Sequence, residues 1–241
     1  MTRNLKALAL ALSAVLSLSA VLAAAAQAET GVLTAPQYPA LVTGEQGPAG
    51  AVTFDIGPGP MKTVSCATSD LDATLFGPTD PVTFKPTYNN CTAMPGFMPV
   101  TITTNGCDYT VGVSRPGTTG QPATTGKLGA AIDCPVGQSI EIHIYENAFM
   151  HAANVSLCTY DVLPQPAVPA GIYHNTPGAV PPDVLATVQA SFTTRNTIGP
   201  AAVCGANANE HLPVTLTGQY TLRGYEDIGG FEGAQIPLDV G

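Results

Sequence analysis

The feature that most constrains the fold is a pair of alternating segments, 107–113 and 128–134, that match each other along their length. When the two segments pair antiparallel, every apolar residue of one lies opposite an apolar residue of the other. The same register places Cys107 opposite Cys134, and two cysteines at a non-hydrogen-bonded pair are within reach of a disulfide. We therefore predict two adjacent strands joined by a Cys107–Cys134 bridge.

The polar segment between these strands, 114–127, is predicted to be a long hairpin connection. Three cysteines precede it and three follow it, so at least one disulfide must cross it if all six pair within the chain. A crossing disulfide favours one compact unit over 29–241. The alternative of two packed halves, 29–113 and 128–241, joined by this loop, stays open.

The six cysteines, an even number without closely spaced C-x-x-C pairs, favour structural disulfides over a zinc site or a reactive thiol. Six cysteines allow many connectivities, and spacing alone does not select one. The simplest completion pairs neighbours along the chain. The predicted disulfides are Cys66–Cys91, Cys107–Cys134 and Cys158–Cys204.

Residues 1–28 have the pattern of a secretory signal peptide. A short positive segment precedes an apolar run over 7–26, which ends at a small-x-small cleavage pattern, Ala-Gln-Ala. A retained anchor is the alternative, because the run is about long enough to span a bilayer. We expect cleavage, a mature chain that starts at residue 29 and no membrane span after it. The expected location is secreted, in the medium or in the cell envelope.

The mature chain is strongly acidic. Cleavage removes Arg3 and Lys6 and leaves six lysine and arginine residues against 17 aspartate and glutamate residues, a formal net charge of −11. Such a chain is repelled by polyanions, and its few cations are scattered singly. We therefore expect no nucleic-acid partner.

Residue alternation of period two runs through most of the mature sequence, which also holds 22 prolines and 25 glycines. In the segment 139–145 three isoleucines share one parity, while Glu141, His143 and Tyr145 share the other. This pattern predicts an all-β, antiparallel β-sandwich of the immunoglobulin-like or Greek-key type, stapled by disulfides. Little helix is expected beyond the signal peptide, with one candidate at 146–154. The other predicted strands cover 51–56, 62–67, 71–76, 82–85, 155–163, 170–174, 184–193, 212–223 and 234–240.

The apolar alternation slips by one residue at Asn105-Gly106. Both residues tolerate a positive φ, as a two-residue type I′ turn requires. We therefore predict a tight hairpin that pairs 99–104 with 107–113.

Prolines bracket the short strand predicted at 170–174, within the segment 164–182. Proline cannot donate a ladder hydrogen bond and is found mainly at sheet edges. We therefore predict an edge strand there.

Histidine and carboxylate side chains provide one candidate metal site on a strand. Glu141 and His143 share the exposed face of the strand 139–145, and His151 follows in a loop. Imidazole and carboxylate groups are common ligands of transition metals. The alternative interpretation is an ordinary polar strand face.

Two acidic segments rich in glycine or asparagine, 207–211 and 225–233, offer oxygen ligands suited to calcium. Neither has the spacing of an EF-hand loop. The candidate ligands in the second segment are Glu226, Asp227 and Glu232. Apart from calcium, no cofactor is expected.

Catalytic motifs are absent from the sequence. There is no G-x-S-x-G elbow and no glycine-rich phosphate loop, and no serine has a base partner that the sequence reveals. Carboxylate pairs of the glycosidase type are available, with Asp70 and Asp72 in one segment and Glu226, Asp227 and Glu232 in another. Enzymatic activity is left undecided, and a non-enzymatic role is favoured.

Three functional classes follow from these observations. The favoured class is an exported structural or binding module whose partner is an unidentified protein or glycan. Sugar stacking would use tyrosines on the outside, for which Tyr145, Tyr173 and Tyr225 are candidates. The alternatives are a secreted glycan-directed hydrolase with a carboxylate pair, and a secreted inhibitor or ligand-binding module that presents the loop 114–127.

Overall fold

A computed structural model describes most of the chain from residue 29 onward. The described residues are 29–47, 50–57, 63–79, 81–94, 98–115, 125–176 and 179–240. The predicted signal peptide, 1–28, and residues 116–124 of the predicted loop lie outside them.

The described residues form sixteen strands and two short helices, so the predicted all-β class is confirmed. The first eight strands are β1 (Glu29–Thr30), β2 (Leu33–Thr34), β3 (Ala40–Gln46), β4 (Val52–Ile56), β5 (Thr63–Leu75), β6 (Val82–Met94), β7 (Met98–Thr103) and β8 (Asp108–Arg115). The remaining strands are β9 (Thr125–Asp133), β10 (Ile140–Ile144), β11 (Cys158–Val162), β12 (Gln165–Thr176), β13 (Asp183–Ile198), β14 (His211–Asp227), β15 (Glu232–Ile236) and β16 (Asp239–Val240). The helices are α1 (Ala148–Ala152) and α2 (Ala201–Cys204).

All strands except β2 and β16 belong to one hydrogen-bonded antiparallel sheet. Its order is β1-β8-β9-β12-β13-β11-β10-β7-β6-β5-β3-β14-β15, with β4 pairing to both β14 and β5. Two further pairings, β6 with β8 and β13 with β14, join distant points of this order. The ladders therefore form closed circuits, which leave fewer strand edges unpaired. The immunoglobulin-like or Greek-key assignment stays a prediction.

The buried apolar residues of these strands form one hydrophobic core. The inward residues alternate along each strand as predicted; in β10, for example, Ile142 and Ile144 are fully buried, while Glu141 and His143 face outward. The longest ladder joins β13 to β14 over twelve consecutive pairs, from Val184 to Arg195 on β13. The division of 29–241 into one unit or two halves stays a prediction.

Tyrosine hydroxyls are paired inside this core. Tyr88 and Tyr109 have their hydroxyl oxygens 2.8 Å apart, and the Tyr220 hydroxyl lies 2.7 Å from that of Ser69. Burial raises the pKa of Tyr109 to about 12 and also raises the pKa values of Tyr88 and Tyr220. These tyrosine hydroxyls therefore stay protonated at neutral pH, and their hydrogen bonds are made within the core rather than with water.

The predicted register of β8 and β9 is confirmed. Tyr109 pairs with Ile132, and the Cα atoms of Cys107 and Cys134 lie 4.1 Å apart with their sulfur atoms bonded. The match between two alternating segments was enough to set the pairing, because a slip of one residue would turn the apolar side chains to water.

The other cysteines also pair as predicted. Cys66 and Cys91 lie at directly opposite positions of β5 and β6, with Cα atoms 3.9 Å apart. Cys158 at the start of β11 is bonded to Cys204 at the end of α2. None of the six cysteines is free.

The predicted hairpin at Asn105-Gly106 is wrong in its pairing, although the turn itself exists. Asn105 and Gly106 have φ values of 51° and 77°, and the Cys107 amide donates to the Thr104 carbonyl at 2.8 Å. However, β7 pairs with β6 and β10, whereas β8 pairs with β9, β1 and the first residues of β6. β7 and β8 both run antiparallel to β6, each along a different half of it. They therefore do not pair with each other. The turn shifts the inward phase of the chain without forming a hairpin ladder.

The predicted edge strand at 170–174 is also wrong. It belongs to β12, which lies between β9 and β13. The pairing with β9 shifts register between Gln165 and Val168 and again between Pro169 and Gly171. Prolines are tolerated at such irregularities because a bulged residue makes no ladder hydrogen bond.

The helix predicted at 146–154 is confirmed in a shorter form, α1. Its N-cap is Asn147, whose side-chain oxygen accepts a hydrogen bond from the Met150 amide at 3.0 Å.

No helix within the described residues has the length and apolar character needed to cross a membrane.

Candidate functional site

A groove of about 500 Å³ lies on the outward side of β3, β5 and β6, beside the turn between β14 and β15. Pockets of this size are typical of small-ligand sites. We call it the acidic groove. Its polar and aromatic lining residues include Thr43, Asp72, Thr74, Phe76, Lys85 and Glu232.

Strand alternation places these side chains in the groove. Asp72 on β5 pairs with Thr43 on β3 and with Lys85 on β6, so the three form one outward row across three strands. Their chain neighbours Val42 and Ala73 are buried in the core. A row of directly opposed residues keeps its side chains within contact distance of one another.

Negative charge dominates the groove and its rim. Partial burial raises the pKa of Asp72, and the neighbouring Asp70 raises it further. Asp70 pairs with Glu45 on β3, whose carboxylate binds Arg223. The groove therefore combines carboxylates that crowd one another with the cation of Lys85, which can offer hydrogen-bond donors.

Aromatic rings are exposed near the groove. Phe76 lines it and is 83% exposed, and Phe231 in the β14–β15 turn is 77% exposed. Of the tyrosines predicted to lie outside, Tyr145 and Tyr173 are buried, which corrects that prediction; Tyr225 is half-buried. Phe76 was missed, although its position directly after the inward Leu75 was a signal that it faces outward.

Of the candidate carboxylates in two distant segments, one from each segment lies in the same groove. Asp72 and Glu232 both line the acidic groove. Asp227 pairs with Glu232 across the β14–β15 turn, and its Oδ1 atom accepts the Gly230 amide at 2.6 Å, which closes the turn. Glu226 lies one residue earlier on β14, where it pairs with Ala40 of β3.

The metal hypotheses gain no support from the arrangement of ligands. Among the residues that the structure describes, no group of three His, Cys, Asp or Glu side chains could hold a metal ion. In the segment 207–211, the Glu210 carboxylate already accepts hydrogen bonds from the amide and side chain of Asn207. Both predicted calcium segments thus use a carboxylate to shape their own turn.

A second polar surface lies on β7, β10 and β11. The Cα partners of His143 are Thr101 on β7 and Thr159 on β11, and those of Glu141 are Thr103 and Asp161 on the same two strands. The two β11 residues, Thr159 and Asp161, are buried. We call this surface the histidine face. Its residues are Thr101, Thr103, Glu141, His143, Thr159 and Asp161.

His143 is held from both ring nitrogens. Its Nε2 atom lies 2.9 Å from Glu141 Oε2, and its Nδ1 atom lies 3.0 Å from Ser156 Oγ and 3.3 Å from Thr159 Oγ1. Ser156 belongs to the loop between α1 and β11. This contact could not be predicted from the sequence, because no motif marks Ser156 and only the loop path brings it to the strand.

His151 does not join Glu141 and His143, with which the sequence grouped it. Its Nε2 atom lies 3.1 Å from Thr101 Oγ1, and its ring packs against that of Tyr145 with centroids 4.7 Å apart. A hollow of about 450 Å³ next to Thr101 and His151 extends over β6 and β7. Glu141 and His143 are therefore brought together as predicted, whereas His151 borders a neighbouring hollow.

Comparison with known proteins provides no relative from which to transfer a function. No protein family matches the chain. No curated protein matches it, and no solved structure does.

Proposed function

We propose that the protein is exported and acts outside the cytoplasm, and that its acidic groove is a non-enzymatic binding site that recognises a glycan. The observation that carries this proposal is the lining of the groove, where a carboxylate, an ammonium group and hydroxyls lie in a row beside an exposed phenyl ring. The signal-peptide pattern of 1–28 supports export. The three disulfides are consistent with an extracellular protein, since disulfides persist in oxidising compartments.

The chemistry of the lining suits a sugar ring. Carboxylate oxygens accept hydrogen bonds from sugar hydroxyls, and the Lys85 ammonium group donates to sugar oxygens. The Phe76 ring, 83% exposed, offers an apolar surface for the C–H face of a pyranose. A polar row with one aromatic neighbour is thus matched to a ligand that is polar around its edge and apolar on its face.

The scaffold under the groove is suited to fixed recognition. The lining residues of β3, β5 and β6 lie on directly paired strands, and the Cys66–Cys91 disulfide joins β5 to β6. Sites on paired strands hold side-chain geometry better than sites on loops. A preorganised groove loses less conformational entropy when a ligand binds.

A glycan-directed hydrolase is the second candidate, favoured by one observation. Asp72 and Glu232 line the same groove, and the raised pKa of Asp72 is the property that a general acid needs. The two candidates differ in outcome, because a hydrolase shortens the bound glycan and a binding module leaves it intact.

A glycan panel followed by calorimetry tests the proposal. We expect the mature protein to bind at least one oligosaccharide, and Asp72→Asn and Phe76→Ala each to weaken that binding by about tenfold or more. Phe149→Ala is the matched control, since Phe149 is similarly exposed, at 77%, but lies in α1 and does not line the groove.

Two results would contradict the binding proposal. The first is the absence of any bound glycan, and the second is a bound glycan whose affinity does not change in Phe76→Ala and Asp72→Asn. Shortened products that disappear in Asp72→Asn would replace the binding module with the hydrolase.

A further inference from the structure

We infer that Ser156 is a nucleophile, activated by His143 and Glu141, that reacts with carboxylic esters. This inference rests on the histidine face and its loop, and it is independent of the acidic groove. The substrate class is an ester between a small acyl group and a polar alcohol.

The hydrogen-bond chain sets the proton positions that a nucleophile needs. The Glu141 carboxylate only accepts hydrogen bonds, so at 2.9 Å it holds the proton of His143 on Nε2. The Nδ1 atom then carries a lone pair and accepts the Ser156 hydroxyl proton at 3.0 Å. This carboxylate–imidazole–hydroxyl order is that of a serine hydrolase triad, here with the two ring nitrogens exchanged. A general base requires one free ring lone pair, and either nitrogen can supply it.

Access distinguishes Ser156 from the second hydroxyl at the same nitrogen. Thr159 Oγ1 lies 3.3 Å from His143 Nδ1, but Thr159 is only 4% exposed. Ser156 is half-buried and lies on the outer loop. A substrate can therefore approach Ser156, while Thr159 supports the imidazole from within the sheet.

The loop that carries Ser156 is anchored on both sides. The Val155 amide donates to the Met150 carbonyl at 2.9 Å, and the Leu157 amide donates to the Ile144 carbonyl at 2.7 Å. The disulfide of Cys158 follows two residues after Ser156. These bonds fix the position of the nucleophile relative to the strand that holds its base.

The Ser156 amide is available to stabilise an oxyanion. Its N–H makes no hydrogen bond to any residue that the structure describes, whereas the amides on either side of it are bonded. The nucleophile's own N–H is one of the two oxyanion donors in chymotrypsin-like proteases. Because the Ser156 N–H and the attacking Oγ atom belong to the same residue, the donor stays close to the reacting centre.

Space for the alcohol part of an ester lies next to Thr101, the strand partner of His143. This space is the polar hollow of about 450 Å³, which also exposes Asn89 and Asn90. Two exposed apolar residues lie nearby in the chain or the sheet: Val155, 54% exposed, directly precedes Ser156, and Ile198, 52% exposed, is the strand partner of Thr159. The hollow suits a polar alcohol, and the apolar side chains suit a short acyl chain.

The reaction balances with water as the only co-reactant. Ser156 Oγ attacks the carbonyl carbon while its proton passes to His143 Nδ1. The bond from carbon to the alcohol oxygen then breaks, the alcohol takes that proton, and the acyl group stays on Ser156. Water next attacks the acyl group with transfer of its proton to Nδ1, and the acid leaves as Ser156 regains its hydroxyl proton.

A fluorophosphonate probe tests the nucleophile directly. Attack by Ser156 forms an O–P bond, releases fluoride and passes the hydroxyl proton to His143. We expect intact mass and peptide mapping of the mature protein to show one label, on Ser156. His143→Gln should slow labelling by about a hundredfold or more, and Glu141→Gln should slow it less.

Matched variants separate chemistry from folding. Ser191→Ala is the control for Ser156→Ala, because Ser191 is an exposed strand serine whose hydroxyl, among the residues that the structure describes, bonds only that of Thr215, at 3.2 Å. Melting temperature and disulfide mapping of each variant report on its fold. Phe76→Ala should be labelled at the normal rate, so the outcome is independent of the glycan proposal.

Either of two results overturns the inference. One is a folded protein in which Ser156 takes no more label than Ser191. The other is a label on Ser156 whose rate is the same in a folded His143→Gln variant. Release of acid from a chromogenic acetate ester, lost in Ser156→Ala, would extend the result from nucleophile to hydrolase.

Discussion

The paired hydroxyls of Tyr88 and Tyr109 allow a sharp test of the core. Each ring has its own aromatic partner: Tyr88 packs edge-on against Phe54 at 5.2 Å, and Tyr109 stacks with Phe192 at 6.3 Å. A change of either tyrosine to phenylalanine keeps these ring contacts and removes one hydroxyl. The variants therefore isolate the hydrogen bond between the two hydroxyls, whose oxygens are 2.8 Å apart.

The expected magnitudes follow from burial. Tyr88→Phe or Tyr109→Phe leaves the other hydroxyl buried without this partner, which costs about 1–3 kcal/mol of unfolding free energy. The double variant removes both polar groups and leaves no orphan, so it should be much closer to the wild type than the sum of the single changes. In a domain of this size each kcal/mol lowers Tm by about 2–4 °C.

Guanidinium unfolding followed by far-ultraviolet circular dichroism measures all four proteins of this double-mutant cycle. An alkaline titration provides a second readout. Because the folded pKa of Tyr109 is raised from 10.0 to about 12, its stabilising contribution is complete below pH 10 and is lost as the pH rises through 12. Tyr109→Phe should therefore lose less stability than the wild type across that window.

Additivity would refute the reasoning. If the two single effects sum to the double effect within about 0.5 kcal/mol, the hydroxyls are not coupled. A double variant that is less stable than either single variant would show that the rings, not the hydroxyls, carry the effect.

Three further outcomes test other parts of the molecule. Asp72→Asn should raise Tm at neutral pH, because the raised pKa of Asp72 means that its negative charge destabilises the fold. This gain in Tm should vanish as the pH falls through the folded pKa towards 3.8. A gain that persists in acid would contradict this cause. Joint replacement of Cys107 and Cys134 by alanine should cost about 3.5 kcal/mol in urea unfolding, from a separation of 27 residues, and a loss below 1 kcal/mol would show that the bridge constrains little. Ile142→Ala, at a fully buried position, should cost about 2–5 kcal/mol by the same assay, and a loss of a few tenths would show that β10 is not packed in the core.

Local patterns predicted the elements of the fold well where only one alignment of the segments buried all their apolar residues. The β8–β9 pairing was readable because its apolar residues and its two cysteines agree on a single alignment. The alternation of 184–193 likewise predicted the inward face of β13. In both segments apolar residues occupy every second position, and this alternation alone indicates which face of the strand is buried.

Local patterns failed where the choice lay between possible neighbours. Asn105-Gly106 has the turn chemistry of a hairpin, but turn chemistry does not say whether the two flanking strands pair with each other or with β6. The prolines of β12 favour an edge strand, but register shifts can accommodate them inside a sheet. Both errors concern contacts between distant segments, about which a local pattern carries no information.

The candidate sites divide in the same way. Glu141 and His143 were found together because two residues of equal parity on one strand share a face. Asp72 and Glu232 were each recognised as carboxylates, yet their common groove depends on β3 lying between β5 and β14. Ser156 was missed because its approach to His143 depends on the path of the loop after α1.

The sequence by itself determined the β class, the Cys107–Cys134 bridge and the acidic composition of this protein, and it predicts export, since each depends on composition, on spacing or on the period of one strand. Apart from the β8–β9 pair, only the tertiary structure decided which strands are neighbours. It thereby decided that Lys85, Asp72 and Thr43 form one row and that a serine, a histidine and a glutamate form one hydrogen-bond chain. The physical reason is that strand order is selected by the packing of the whole core, to which every segment contributes and which no single segment encodes.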